Sequence, residues 1–186
     1  MTREEAWQIV CEFTESESLR KHMLGVETCM RWYAKLHGED VELWGICGLL
    51  HDFDYEKHPD NHPHWGMNWL DERGTDPVII RAIATHCAPK TGIEPESLLE
   101  RHLFACDELS GFITACCYVR PSKSVHDLEA KSVTKKLKTL NFAAGVNRDD
   151  VYCGAELIGL PLNDHITNLI TAMRENSTEL GIKGEL

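Results

Sequence analysis

Apolar residues recur along most of this chain at spacings of three and four, the period of an amphipathic helix, and no strand-length run alternates convincingly. Over about residues 4 to 14 the stripe is Ala6, Ile9, Val10 and Phe13. Ser16 or Ser18 is placed to cap a second helix reaching about Leu36, with Val26, Cys29, Met30 and Tyr33 inward. His22 lies four residues before Val26 and so shares the inward face. The segment "VELWGICGLLHDF" is apolar around most of its circumference, which predicts a helix at the centre of a bundle, and it ends in the pair His51-Asp52. A polar, proline-broken stretch follows until Asn61 or His62 starts a short helix with Pro63 in its first turn. Asp76-Pro77 marks a further start, a cap followed by a first-turn proline, and that helix runs through Ile79, Ala82 and Ile83 to His86.

The remaining sequence continues in the same period. A long helix from about Leu98 to Val119 carries Leu103, Phe104, Asp107, Gly111 and Thr114 on one face, so Asp107 interrupts a small, apolar stripe. After Pro121, an amphipathic helix from about Asp127 to Leu140 is expected to bury Val133, Leu137 and Leu140, with Lys131, Lys135 and Lys138 elsewhere. Asn147 is placed to cap the first of two shorter helices, at about 149 to 158 and 162 to 175. No repeat, low-complexity tract or Pro/Gly/Ser linker divides residues 1–186, so a single all-α domain is expected.

Composition narrows the function classes. With 186 residues, of which 42% are hydrophobic, the chain can bury a sizeable core without disulfides. Nineteen Lys and Arg against 30 Asp and Glu leave a net charge of -11, which argues against long nucleic acid or an anionic membrane as partner. Eight cysteines occur with no CxxC pair and no secretory segment, the usage expected of reduced thiols in the cytoplasm. The apolar stretches fall far short of the roughly 18 residues that a membrane span needs.

Five groups fall on inward faces or at the inner ends of apolar helices: His22, His51, Asp52, His86 and Asp107. Neutral imidazole and carboxylate together suit zinc, manganese and iron. Adjacent residues at a helix end point in different directions, so His51 can serve one cation while the oxygens of Asp52 reach toward a second. A buried Asp52 or Asp107 without a cation carries a large desolvation penalty. Taken singly, each has a plainer explanation. His22 or His86 can be a hydrogen-bonded core residue, and Asp107 can pair with Arg101 or Arg20. Asp54 and Glu56 are either groups that orient water or parts of a solvated loop, and Cys87 is either a buried thiol or a thiolate ligand. His102 lies five positions before Asp107, about 140° around the helix, and belongs to another face.

With these residues in place, the sequence resembles the HD-domain superfamily of metal-dependent phosphohydrolases, whose motif is a His, then a His-Asp doublet, then a distant Asp on a helical core. His22, His51-Asp52 and Asp107 match those positions. His62 in "HPHWG" and His86 in "IIRAIATHC" look like the two added histidines of the binuclear variants. The segments "LLHDFDYEKHP", "DELSGFI", "VRPSK" and "KSVTKKLK...FAAGVNR" are similar to a group of small stand-alone bacterial HD proteins. The resemblance implies an HD-domain helical bundle with additional C-terminal helices. It also implies that His22, His51, Asp52 and Asp107 hold one cation, that His62 and His86 hold a second, and that Asp52 bridges them. Members that cut cyclic dinucleotides carry a Gly-Tyr-Pro signature after the position of His86. Here Cys87-Ala88-Pro89-Lys90 stands instead, which argues against that activity.

The expected function is therefore hydrolysis of a small phosphate ester or nucleotide by metal-activated water, with His51 and Asp52 at the catalytic centre and one or two ions of Mn, Fe, Co, Zn or Mg. Lys90, Arg120, Ser122 and Lys123 are the candidate ligands for an anionic substrate, while Lys131, Lys135, Lys136, Lys138 and Arg148 read more simply as solvated charge. No Gly-rich phosphate loop is present, so ATP-driven chemistry is not expected. Two other functions share the ligand set: a di-iron oxygenase of the same fold, and a non-enzymatic metabolite sensor or adaptor with a structural metal. A replaceable coordination position separates an enzyme from the last of these.

Overall fold

Capping chemistry sets most of the helix starts. In the computed structural model, which describes residues 1–185, helix α1 (Arg3–Phe13) begins at Thr2, whose hydroxyl accepts the Glu5 N–H at 3.2 Å while the Glu5 carboxylate accepts the Thr2 N–H at 2.7 Å. Helix α2 (Glu17–His37) starts from Ser16 and stops at Gly38, whose φ of 70° is left-handed. Asp40 caps α3 (Val41–Leu50) by accepting from Glu42 and Leu43. Helix α4 (His64–Asp71) follows Pro63, and α5 (Pro77–His86) follows the Asp76 cap. A single turn, α6 (Ala88–Thr91), precedes α7 (Leu98–Tyr118). Ser97 and Glu100 form a second reciprocal cap at the start of α7. Helices α8 (Ala130–Leu137), α9 (Arg148–Leu157) and α10 (Leu162–Glu175) follow, and no strand occurs among the described residues.

The all-α expectation therefore holds, with boundary corrections. The central helix stops at Leu50, so His51, Asp52 and Phe53 open a run of turns instead of finishing the helix. Residues 127–129 precede α8, which ends at Leu137. Leu140 lies beyond it, 74% exposed, where burial was expected. The single turn of α6 has no counterpart in the periodicity of the sequence.

By internal contacts the chain forms two compact units, Met1–Phe104 and from Ala105 onward. In the first, α3 packs against α1, α2 and α5, and α4 packs against α5. Gly45 and Gly48, one turn apart, make the α2–α3 approach close. A Cβ on Gly45 would collide with the Arg31 side chain, and one on Gly48 would lie 2.9 Å from the Glu27 backbone nitrogen. As positions rise along α3 their neighbours on α2 fall, so the two helices run antiparallel. One turn beyond Gly48, His51 comes beside His22. Glu27 is 3% exposed and ties the helices electrostatically, accepting from Arg3 at 2.7 Å and Arg31 at 2.8 Å, while Arg31 also grips Glu42 at 2.6 Å.

A cluster of Phe13, Phe53, Trp65 and Trp69 holds the turns between α3 and α4, with ring centroids 5.1 to 6.5 Å apart. Glu56 anchors the same segment by accepting the N–H groups of Glu15 and Ser16 at 3.1 and 2.9 Å. In the second unit, α10 packs on α8 and α9. His165 of α10 donates from Nε2 to the Ala105 carbonyl at 2.9 Å, and Gly154 of α9 lets Ala105 approach, since a Cβ there would meet the Ala105 Cα at 2.7 Å. None of the eight cysteines is in a disulfide, and five of them are buried. No helix of the described residues is long and apolar enough to cross a membrane.

Candidate metal centre

Helix ends build the centre in the first unit. The last carbonyls of a helix lack backbone partners, and two histidines use them. His51, the residue after α3, donates from Nδ1 to Gly48 O at 2.7 Å, and His86, the last residue of α5, donates from Nδ1 to Ile83 O at 2.5 Å. Each bond fixes the tautomer, placing the proton on Nδ1 and leaving the Nε2 lone pair available to a cation. Helix C-termini also carry partial negative charge, which favours a cation nearby.

His62 is oriented by a carboxylate instead. Its Nδ1 lies 2.8 Å from Asp54 Oδ1, and the other oxygen of Asp54 accepts the Gly66 N–H at 2.8 Å. Asp54 is fully buried and His62 is 3% exposed. Asp54 is therefore not a solvated loop residue; it holds an imidazole in position.

Asp52 stands between the histidines. Its Oδ2 lies 3.5 Å from His51 Nε2 and 3.8 Å from His22 Nε2, while its Oδ1 lies 3.3 Å from His62 Nε2 and 3.4 Å from His86 Nε2. The two oxygens thus face two different histidine pairs. On the first side, the Nε2 atoms of His22 and His51 are 3.2 Å apart. On the second side, the ligand atoms of His62, His86 and Cys87 all lie within 4.8 Å of one another. This is donor chemistry that suits divalent cations, with imidazole nitrogens converging on a shared carboxylate and outer hydrogen bonds already made.

The electrostatics agree with that arrangement. Burial by itself would lower the His62 imidazole, but its bonds to Asp54 and Cys87 and the charge of Asp52 raise it above the ordinary histidine range. Burial would raise the Cys87 thiol, yet His62 and His86 bring it well below the ordinary thiol range. Positive charge is favoured at this position, and a divalent cation satisfies the same groups that hold the proton.

The match to a known family is equally local. The family model described as HD domain matches residues 19–111, half of the chain. The chain belongs to the HD domain family. The matched stretch contains His22, His51, Asp52, His62, His86 and Asp107. No curated protein and no solved structure matches this HD protein.

The other sequence candidates fall as follows. Asp107 lies on α7 within the second unit and is half-buried. Arg20, one of its suggested partners, spends its guanidinium on the Thr14 and Cys11 carbonyls at 2.6 and 3.1 Å. Lys90 is exposed, and its ammonium donates to the His62 carbonyl at 3.1 Å. Arg120 and Ser122 both bond to Asp127, at 2.8 and 3.0 Å, so that carboxylate offsets the charge of their loop. Lys123 is exposed at a φ of 48°. Lys135 and Lys136 line, with Arg120, a cavity of about 460 Å3 in the second unit. His102 is buried and bonded to Leu98 O at 2.7 Å and to His37 at 3.1 Å.

Asp54 and Cys87 are the residues sequence reasoning underweighted. A signal for Asp54 existed in its spacing, two residues after Asp52 in "HDFD" and eight before His62, but nothing in the pattern distinguishes an inward loop carboxylate from a solvated one.

Proposed function

We propose that this HD protein is a metal-dependent phosphohydrolase acting on a small phosphate ester or nucleotide. The observation that carries the reading is the division of Asp52, with one oxygen toward His22 and His51 and the other toward His62 and His86. A carboxylate so placed suits two neighbouring divalent cations. When bound, such a pair supplies an activated water and neutralises charge on a phosphoryl oxygen.

The chain's own groups have definite tasks in this scheme. His22 and His51 offer nitrogens to the first cation, and His62 and His86 offer nitrogens to the second. The Gly48 and Ile83 carbonyls and the Asp54 carboxylate hold three of those rings with Nε2 facing Asp52. Asp107 joins the first set by its place in the family pattern. Lys90 is a cationic group of the first unit beside His62, placed to meet an anionic substrate. The net charge of -11 favours a small phosphorylated molecule over a long nucleic acid. Cysteines that form no disulfide suit a reducing, cytoplasmic setting.

Phosphate release from nucleoside monophosphates, nucleoside triphosphates, dinucleotides and simple phosphomonoesters tests the proposal, with Mn, Co, Mg, Zn or ferrous ion supplied separately. Turnover that needs a metal and vanishes in Asp52→Asn is the expected result. Stoichiometric metal with no phosphate release, together with oxygen consumption on an organic substrate, would overturn it in favour of oxygen chemistry.

A further inference from the structure

We infer that Cys87 is a ligand of the second cation, so that this half of the centre is a nitrogen and sulfur site selective for a thiophilic metal such as zinc or cobalt. The inference rests on the two-cation reading and adds to it the identity of a ligand and the class of metal.

The geometry comes from the end of α5. His86 is its last residue, and Cys87 leaves helical geometry at φ -115° and ψ 43° before α6 begins at Ala88. The change of direction brings the Cys87 sulfur to within 4.8 Å of the ligand nitrogens of both His86 and His62. The doublet at the end of α3 works the same way, with His51 facing one side and Asp52 presented to both. Two helix ends thus supply adjacent pairs of donors, His51 with Asp52 and His86 with Cys87.

The sulfur is not an incidental neighbour. Cys87 is held in place by backbone bonds from Lys90 and Thr91 to its carbonyl, at 2.9 and 3.1 Å. Its position is half-buried, whereas the thiols of Cys29, Cys47, Cys106, Cys116 and Cys117 are buried in the core.

Donor type then separates the two halves. His22, His51 and one oxygen of Asp52 form a nitrogen and oxygen set, tolerant of manganese or iron. His62, His86 and Cys87 make three convergent donors, with the other oxygen of Asp52 near both imidazoles, a donor set that suits four-coordinate zinc. Magnesium and manganese prefer oxygen and gain little from a thiolate, whereas zinc and cobalt gain much. On coordination the thiol loses its proton to solvent and the sulfur gives an electron pair to the metal, with no change of oxidation state.

Cobalt reports this ligand directly, because a thiolate bound to Co2+ gives a sulfur-to-metal charge-transfer band in the near ultraviolet that imidazole and carboxylate do not. The full chain, stripped by chelator under reducing conditions, is titrated with Co2+ as wild type, Cys87→Ser and Cys153→Ser, the last removing an exposed thiol outside the centre. The expected result is two equivalents bound by wild type, with the band present in wild type and Cys153→Ser. In Cys87→Ser the band should be absent, with one equivalent weakened by roughly 10- to 100-fold and the other unchanged. Two equivalents bound with no band in wild type, or a band that survives in Cys87→Ser, would overturn the inference while leaving the two-cation reading intact. Binding of one equivalent or none by wild type would overturn that reading, and the inference with it.

Discussion

His62 and Asp54 form a buried pair, Nδ1 to Oδ1 at 2.8 Å, that fixes which nitrogen of His62 faces the centre. Seven residues separate them, nearly all in turns and none in a helix. The pair, together with the bond from Gly66 N–H to Asp54, organises the segment on which the second half of the centre depends.

Asp54→Asn replaces one acceptor oxygen with a donor, so either His62 or Gly66 loses its partner. We expect the second equivalent of metal to bind roughly 10- to 100-fold more weakly, the usual cost of losing an outer-shell partner, with the first little changed. Gly66→Ala should have a similar effect by another route, because its Cβ would lie 2.7 Å from the Asp54 carboxyl carbon. Isothermal titration with zinc checks both. Two unchanged binding events in both variants would show that Asp54 does not support the site.

Gly48→Ala forces a methyl group against the α2 backbone, 2.9 Å from Glu27 N. Neither backbone yields cheaply, so we expect a loss of about 1–3 kcal/mol in stability, the range for overpacking a core. The wedge also separates His51 from His22 and should weaken the first metal equivalent. Chemical denaturation measures the former and metal titration the latter; wild-type values in both would mean that the helices have slack at this crossing.

His102→Ala separates structural histidines from ligating ones. The ring packs against Tyr33 at 4.6 Å and Trp44 at 5.3 Å, and it bonds to His37. Its removal should cost about 2–4 kcal/mol, as for other large buried side chains, and leave metal stoichiometry untouched. Loss of a metal equivalent in folded His102→Ala would contradict the assignment of ligands.

His165 provides a pH signature in the second unit. Burial depresses its imidazole from the ordinary 6.5 to about 4, against the opposing bond to Ala105 O. The unfolded chain therefore takes up this proton first as pH falls. The stabilisation is complete above about pH 6.5 and is lost progressively down to about pH 4, a span worth about 3 kcal/mol. Urea melts between pH 7.5 and 4.5 should show this slope in wild type and a shallower one in His165→Gln, which keeps an N–H donor but does not titrate. Identical slopes would remove His165 as the cause.

The helices, their approximate limits and most of the histidines of the centre were legible in the sequence because they depend on local rules. Three- and four-residue periodicity, the caps at Ser16, Asp76 and Asn147, and the apolar run ending in His51-Asp52 need no knowledge of distant contacts. Tertiary structure decided what each oxygen and nitrogen faces. That Asp52 divides its oxygens between two histidine pairs follows from the close α2–α3 crossing at Gly45 and Gly48 and from the aromatic cluster that pins the turns after α3. That Asp54 is buried behind His62, that Cys87 turns inward beside His86, and that Arg120 is engaged by Asp127 are likewise results of chain direction at helix ends and in loops. Periodicity is silent there, since a carboxylate or thiol in a turn has no face until the elements around it have packed.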